Sequence, residues 1–497
     1  MSAGDGCVFR APTRWRTSVV SDAMPSLAEV TVNLESPLPA SLPAGSATAI
    51  FLYGTASAAG RPVRSMEVLV DGRAHTVGAC AMPRFDTQPR RAGFWAVVAV
   101  RAVRDQVTLG VRVHDADGSV TDRELGRIEV IPPASVPGPP PSDRSEGTIA
   151  ILMATCNPPP RLLRAQLDSL RAQRDRRWVC IVCDDASSEP AYAELLEQVA
   201  GDPRFHVSRS PTPLGFYRNF ERALTQIPPD CALVALCDQD DEWHPDKLAR
   251  LRAGIGLAGL AYCDMRLVDE RGEVLRATLW RDRSNNHTNL ASMLLANTVT
   301  GAATLFTRDV ARRTLPFPDA PGVEFHDHWL ALVALAAGDL AYVDAPLYDY
   351  VQHPGAIVGR HTGSSPARDW RDALRIREWR AAYFLGYVPG QVRAVTLLLR
   401  CEDRLTPAKR RALQRYLACE TSVAAALWLA LRPARQLAGH TETLGSEWGM
   451  LRGILWRRGS AAVAALAWWP QRLLLDCRFP DPPIWRQKRL QRWRSRI

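Results

Sequence analysis

Residues 132–146, PPASVPGPPPSDRSE, divide this 497-residue chain. Their six prolines fix φ, remove backbone donors and favour extended polyproline geometry. No core strand or helix runs through such a stretch, so it reads as a linker. The hydrophobic pattern changes across it, and each side needs its own account.

Upstream, residues 1–26 show no clear periodicity and read as a flexible arm. From 27 to 131 short alternating runs recur: Glu29–Leu34, Thr48–Tyr53, Met66–Val70, Gly93–Val103, Gln106–Val113 and Arg127–Ile131. Turn pairs such as Asp71-Gly72 and Asp117-Gly118 punctuate them. Five to seven short strands with this spacing predict a small β-sandwich, loosely similar to immunoglobulin-like accessory domains. It contains no catalytic constellation. Packing or spacing is the plain reading, and binding a carbohydrate or partner is the alternative.

Downstream, residues 147–362 alternate strand-like and helical runs. Strands are expected at Thr148–Ala154, Trp178–Cys183, Phe205–Ser208 and Ala232–Cys237, with helices near Arg161–Gln173, Ala191–Val199 and Phe216–Thr225. This order predicts an α/β, Rossmann-like domain with a mainly parallel sheet. Ligands of such sheets bind beyond the carboxyl ends of the strands. From 363 to 497 strands vanish, and Ala367–Leu385, Gln391–Cys401 and Pro407–Leu431 read as helices.

The chain is 46% hydrophobic and 23% charged, which excludes a mostly disordered chain and a polytopic membrane protein. No segment reaches the ~20 apolar residues of a spanning helix. Thr421–Leu431 and Gly459–Gln471 come closest, and the latter contains Pro470. The first twenty residues lack a signal-peptide core. Eleven cysteines, several inside apolar runs, suit a reducing, cytoplasmic compartment. Cys180 and Cys183 have CxxC spacing within a predicted strand, where positions i and i+3 face opposite ways, which argues against zinc or redox use.

The residues after the strands carry the chemistry. The first strand runs into Ala154-Thr155-Cys156-Asn157, the second into Asp184-Asp185-Ala186-Ser187, and the fourth into Asp238-Gln239-Asp240-Asp241-Glu242-Trp243. One acidic turn could be a helix cap or a solvated loop. Two on one sheet edge are harder to dismiss. Carboxylates at i and i+2 after a buried strand can converge on Mg2+ or Mn2+, which prefer oxygen ligands and share them with phosphates. An EF-hand is excluded, because the loop lacks its glycine and its distal glutamate.

In order along 147–360 stand ILMATCN, VCDDAS, LGFYRNFERAL, LCDQDDEWHPDKL, YCDMRLVDERG, NTVTGAATLF, FHDHWLALVA and YVQHPGAIVG. This segment resembles family 2 glycosyltransferases of GT-A fold, close to the rhamnosyltransferase-like branch. The resemblance implies an inverting transfer from a nucleoside-diphosphate sugar of dTDP or UDP type, with dTDP-rhamnose the donor its rhamnosyltransferase-like branch suggests, to a glycan or lipid-linked acceptor of the cell envelope. It implies a divalent metal, Mg2+ or Mn2+, on Asp238, Asp240 and Asp241, with His353 as a late ligand and His361 a weaker candidate. It places Thr155, Asn157, Asp184, Asp185, Gly215, Asn219 and Asp238 on the donor side, with Asp185 at the base-recognition position. A carboxylate there can accept the N3–H of uracil or thymine. Asp327 matches the catalytic base, and it also suits a helix N-cap. Gly301, His326 and Trp329 fall on the acceptor side; Gly301 would admit close backbone approach to a sugar. Many relatives have Tyr where Cys156 stands, so stacking on the base is lost here.

The net charge of +10 is unevenly spread. Residues 361–497 hold 25 basic and 10 acidic side chains, a net of +15, and residues 1–360 hold 37 and 42, a net of −5. Basic residues beside Trp and Leu, as in IWRQKRLQRWRSRI, suit peripheral contact with the inner face of the plasma membrane, or else a helical packing domain with a solvated Arg face. No nucleic-acid-binding module is recognisable, so nucleic acid is not an expected partner. A non-catalytic carbohydrate-binding or scaffold protein that kept the fold is the alternative function.

Overall fold

The computed structural model describes residues 30–133, 147–280, 285–322, 325–353, 376–439, 443–464 and 476–480. The expected N-terminal arm, most of the proline-rich stretch, His361 and the segment 482–497 lie outside the described residues.

Ten strands precede the linker: β1 (Val30–Leu34), β2 (Ser41–Pro43), β3 (Ala47–Ala58), β4 (Arg61–Pro62), β5 (Ser65–Val70), β6 (Arg73–Thr76), β7 (Ala79–Pro83), β8 (Arg91–Arg101), β9 (Gln106–His114) and β10 (Val120–Ile131). One sheet has the order β1-β3-β8-β7 with β4 on β3, and the other β2-β10-β9-β5-β6. Ile50, Leu52, Phe94 and Val98 of the first meet Val68, Leu109, Val111 and Ile128 of the second in a shared core. This is sheet-on-sheet burial, with inward residues alternating along each strand.

The first sheet is buried on its outer face too. Ala49, Phe51, Tyr53 and Trp95 join the core of the rest of the molecule, with Phe384, Trp456 and Phe479 packed against them.

After the linker come β11 (Thr148–Thr155), α1 (Pro160–Arg171), β12 (Trp178–Asp184), α2 (Glu189–Val199), β13 (Phe205–Arg209), α3 (Phe216–Leu224) and β14 (Cys231–Cys237). They are followed by β15 (Glu242–Trp243), α4 (Lys247–Ile255), β16 (Leu260–Asp269), β17 (Val274–Arg276), α5 (Leu290–Leu295), β18 (Thr304–Thr307), α6 (Arg308–Thr314), α7 (His326–Ala337) and β19 (Leu340–Gln352). The sheet order is β13-β12-β11-β14-β18-β16-β19-β15, with β17 beside β16. Strands β11 to β14 are mutually parallel where they pair, whereas β18 runs antiparallel to β14 and β16. β14 is fully buried, so its run CALVALC is continuously apolar. This is the GT-A arrangement. The strand order reverses between β11 and β14, and the crevice at such a switch point is where open sheets of this kind bind ligands.

The chain then forms α8 (Ile376–Ala382), a π turn (Tyr383–Tyr387), α9 (Val388–Arg400), α10 (Pro407–Ala418), α11 (Val423–Leu431), a 3-10 stretch (Arg432–Ala438) and α12 (Leu444–Ala464). The single helix expected over Pro407–Leu431 is two. Ser422 caps α11 through its Oγ, which accepts the Ala425 N–H. The Arg458 guanidinium donates to the carbonyls of Cys419 and Glu420 at the break, and to that of Ser422, which also accepts the Ala426 N–H at the start of α11. Among the described residues no helix is long and apolar enough to cross a membrane.

Candidate active site

The ends of β11 and β12 are tied together by Asp184. Its carboxylate is fully buried and accepts from the Thr155 hydroxyl at 3.1 Å, from the Ser187 N–H at 3.0 Å and from the Ser187 hydroxyl. Asn157 adds a second tie: its N–H donates to Ser187 Oγ and its Oδ1 accepts the Ser188 N–H, both at 2.8 Å. Its φ of +42° is one that Asn tolerates better than most residues. Asp184 was expected on the donor side, but it lies behind the surface as a fastening.

Asp185 faces the next loop. Its two oxygens accept the backbone N–H groups of Leu214 at 2.6 Å and Gly215 at 2.8 Å, fixing the entry to α3. Gly215 has φ +82°, a conformation that favours glycine. Asn219, one turn into α3, is buried and donates to the Cys183 carbonyl at 2.7 Å, so it braces α3 against β12.

The turn after β14 holds the acid cluster. Burial, then the neighbouring Asp240 and Asp327, push Asp238 up to about 7. Asp241 is 2% exposed, and burial beside Asp238 and Asp240 holds its carboxyl well above the usual range. Neither Asp241 oxygen has a hydrogen-bond partner; the Val351 backbone faces the carboxylate without reaching good geometry. His353, at the end of β19, places Nε2 2.7 Å from Asp240 Oδ2. Oxygen donors, a nearby imidazole and an unpaired buried carboxylate fit a hard divalent cation. Among the described residues, however, no group of three His, Cys, Asp or Glu side chains is already drawn together around a metal-sized space.

Two residues of this turn were not singled out from the sequence. Gln239 reaches back to β11: its Oε1 accepts the Cys156 N–H at 2.7 Å and its Nε2 donates to the Cys156 carbonyl at 3.3 Å. Lys247, at the start of α4, is fully buried beneath the acids. Its ammonium lies 3.4 Å from the Trp243 ring centroid and 4.4 Å from that of Tyr348, and donates to the Ala302 carbonyl at 2.5 Å. Burial lowers it to about 8. Only three lysines occur in the chain, which is the signal that could have marked it.

Across the crevice, α7 opens with His326-Asp327-His328-Trp329. Asp327 is half-buried, with Oδ1 accepting the His328 N–H at 2.6 Å. Burial pushes its carboxyl up to about 6. His326 stacks on Phe220 with centroids 4.0 Å apart, and neither ring nitrogen has a hydrogen-bond partner. Burial lowers it to about 3, so the ring is neutral at any physiological pH. A Cβ on Gly301 would stand 2.7 Å from His326 Nε2. The glycine is therefore required by the imidazole behind it. Trp329 is corrected: it is fully buried, donates to the Thr314 carbonyl at 2.9 Å, and packs α7 instead of lining the acceptor side.

The structure thus brings Asp238, Asp240, Asp241, His353 and Asp327 to one edge of the sheet. It sets Asp184, Asn219 and Trp329 behind that edge.

A sequence profile described as Glycosyl transferase family 2 matches residues 150–314. No curated protein sequence matches the chain. Among solved structures, residues 1–349 of TarS from S. aureus in complex with UDP-GlcNAc is similar at TM-score 0.39 and 14% identity, covering 65% of this chain and 93% of that one. The mannosyltransferase PcManGT from Pyrobaculum calidifontis, in complex with GDP-Man and Mn2+, is similar at TM-score 0.34 and 18% identity, covering 66% and 90%.

Proposed function

Since residues 150–314 form a glycosyl transferase family 2 domain of GT-A fold, we propose that the chain is an inverting transferase that moves a sugar from a nucleoside diphosphate to a hydroxyl of a cell-envelope glycan or lipid-linked acceptor. The observation that carries this reading is Asp327. Its carboxyl, raised to about 6, stands within electrostatic reach of Asp238 at the switch-point crevice. A general base works best with an affinity for protons near the operating pH.

In the step, the acceptor oxygen bonds to the anomeric carbon as the bond from that carbon to the diphosphate oxygen breaks. The acceptor proton goes to Asp327. One base suffices, because inversion needs no carboxylate nucleophile, unlike a retaining glycosidase. Asp238, Asp240, Asp241 and His353 would hold Mg2+ or Mn2+, which when bound would neutralise charge on the departing diphosphate. Thr155, Asn157, Gly215 and Asn219 shape the donor pocket, Thr155, Asn157 and Asn219 by bracing its loops. Each Asp185 oxygen keeps a second lone pair, so the carboxylate can still accept a pyrimidine N3–H of a uridine or thymidine donor. Gly301 and His326 set the acceptor-side wall. Rhamnose as the sugar, and peripheral contact with the inner face of the plasma membrane, complete the reading.

The test is a thermal-shift screen of nucleotide sugars with and without Mn2+ or Mg2+, followed by transfer assays on Asp327→Asn. Transfer should fall by ~10²–10⁴-fold while nucleotide-sugar binding is retained. Equal loss of both would make Asp327 a structural cap.

A further inference from the structure

We propose that the exposed face of α11 docks on an anionic lipid bilayer and holds the acceptor side of the cleft towards it, so that the acceptor is lipid-linked.

α11 reads VAAALWLAL and carries no charge. A helix on a soluble surface turns its apolar stripe inward. Here only Ala425 and Leu429 are buried, while Val423, Leu427 and Leu431 are 64%, 55% and 69% exposed. Their i, i+4, i+8 spacing puts them in one row on one face. Leu437, just beyond, is 94% exposed. On α12, which packs against α11, Trp448 and Leu455 are half exposed and lie near one face with Arg452. An exposed apolar row of this kind, with further exposed apolar side chains on the adjoining elements, marks an interaction site.

Charge selects the occupant. Residues 376–464 hold 14 Lys and Arg against 6 Asp and Glu, a net of +8. Arg411 and Arg415 are exposed on α10, which packs against α11. A second copy would set this positive charge against itself, whereas anionic headgroups complement it. Nine residues of helix span ~14 Å, half of a bilayer's ~30 Å core, so α11 lies in the interface and does not cross.

The face is fixed to the catalytic domain. Arg432, at the end of α11, pairs with Glu447 of α12 at 2.8 Å and donates to Ser292 Oγ at 2.7 Å. Arg435 donates to the same hydroxyl. Ser292 sits in α5, which leads directly into Asn297–Gly301 on the acceptor side. The lipid-linked acceptor rests on the glycosyltransferase reading; the docking does not.

The experiment is co-sedimentation of the full chain with vesicles of phosphatidylcholine alone or mixed with phosphatidylglycerol. The wild type should bind the mixed vesicles and release with salt. Leu427→Glu with Leu431→Glu should cut the bound fraction ~10-fold with unchanged circular dichroism. Arg411→Gln with Arg415→Gln should reduce binding to the mixed vesicles alone. Both pairs should keep vesicle-free nucleotide-sugar hydrolysis and lose transfer to a lipid-linked acceptor. Docking is overturned by wild type that stays in the supernatant, by equal sedimentation of the leucine variant, or by a wild-type dimer that this variant dissolves. Vesicle binding without nucleotide-sugar hydrolysis would instead sink the transferase reading and leave docking standing.

Discussion

Gly301 and His326 compete for one space. A methyl at 301 would meet the imidazole at 2.7 Å, and the ring is held from behind by its stack on Phe220. Asp327 follows His326 directly, so displacing the ring moves the proposed base. Misplacing a catalytic group by about 1 Å costs ~10²-fold. Gly301→Ala should therefore lower kcat by about that factor with donor affinity kept. Adding His326→Ala vacates the clash and should recover part of the loss; steady-state kinetics on the two single variants and the double variant decide. If the double variant is no better than Gly301→Ala, a ligand and not the imidazole excludes the side chain. Asp327 also sets a pH dependence. A base that holds its proton up to pH 6 is ionised only above it, so activity should fall about tenfold per unit below pH 6. A flat pH profile of kcat/KM from 5 to 7 would contradict that. Asp241 carries a third expectation. A buried, unpaired carboxyl that must take up a proton or carry an unmatched charge on folding destabilises the fold, so Asp241→Asn should raise the melting temperature of the metal-free protein and abolish the stabilisation by Mn2+ expected of the wild type. At this scale the sequence told which residue types gather, since acid spacing after apolar runs is visible in one dimension. It did not reveal Gln239 or Lys247, because an amide and a lysine at a helix start ordinarily read as solvated surface.

Among elements, continuous apolar runs and amphipathic helices were legible and short strands without an apolar pattern were not. The first four strands of the α/β domain and the three helices between them lie within about two residues of their expected limits, because each is an apolar run bounded by polar residues or buries a clear stripe. By contrast, β6 (RAHT) and β4 (RP) have no apolar alternation to detect and are held by pairing with β5 and β3. The split between α10 and α11 falls at the Ser422 cap, a local signal, and Arg458, far along the chain, adds hydrogen bonds at that break which no local pattern announces. The acid turn illustrates how elements cooperate. The Gln239 side chain locks the end of β11 to the turn after β14 through two hydrogen bonds across the switch point. At ~1 kcal/mol each, their loss in Gln239→Leu should raise donor KM ~10–30-fold and change kcat less. Isothermal titration with the nucleotide checks this; an unchanged affinity would mean that the crevice keeps its shape without the bridge.

For the molecule as a whole, the proline-rich stretch suggests separable parts, and the packing joins them. The outer face of the β3–β8 sheet is the floor on which the C-terminal helices rest. Trp95 is 2% exposed, and its indole N–H donates to the Tyr383 hydroxyl at 2.9 Å. The Ala49 N–H donates to Thr396 Oγ1 of α9 at 3.0 Å, and Tyr53 donates to the Cys477 carbonyl at 3.0 Å. The helices in turn seat on α5 and α7 of the catalytic domain through Arg432 and through Arg393, which lies 3.4 Å from His328 Nδ1. The β-sandwich therefore supports the proposed acceptor wall at one remove, through helices that a linker-based reading leaves to themselves. A large interface of this apolar kind couples the unfolding of the parts it joins. Trp95→Ala removes a buried indole and its hydrogen bond, a loss of ~3–5 kcal/mol. It should lower the melting temperature of the β-sandwich and of the nucleotide-binding domain together, as one calorimetric transition in wild type and variant alike. Two separated transitions, with only the first shifted by Trp95→Ala, would show that the sandwich folds and fails alone, and that the acceptor wall owes it nothing.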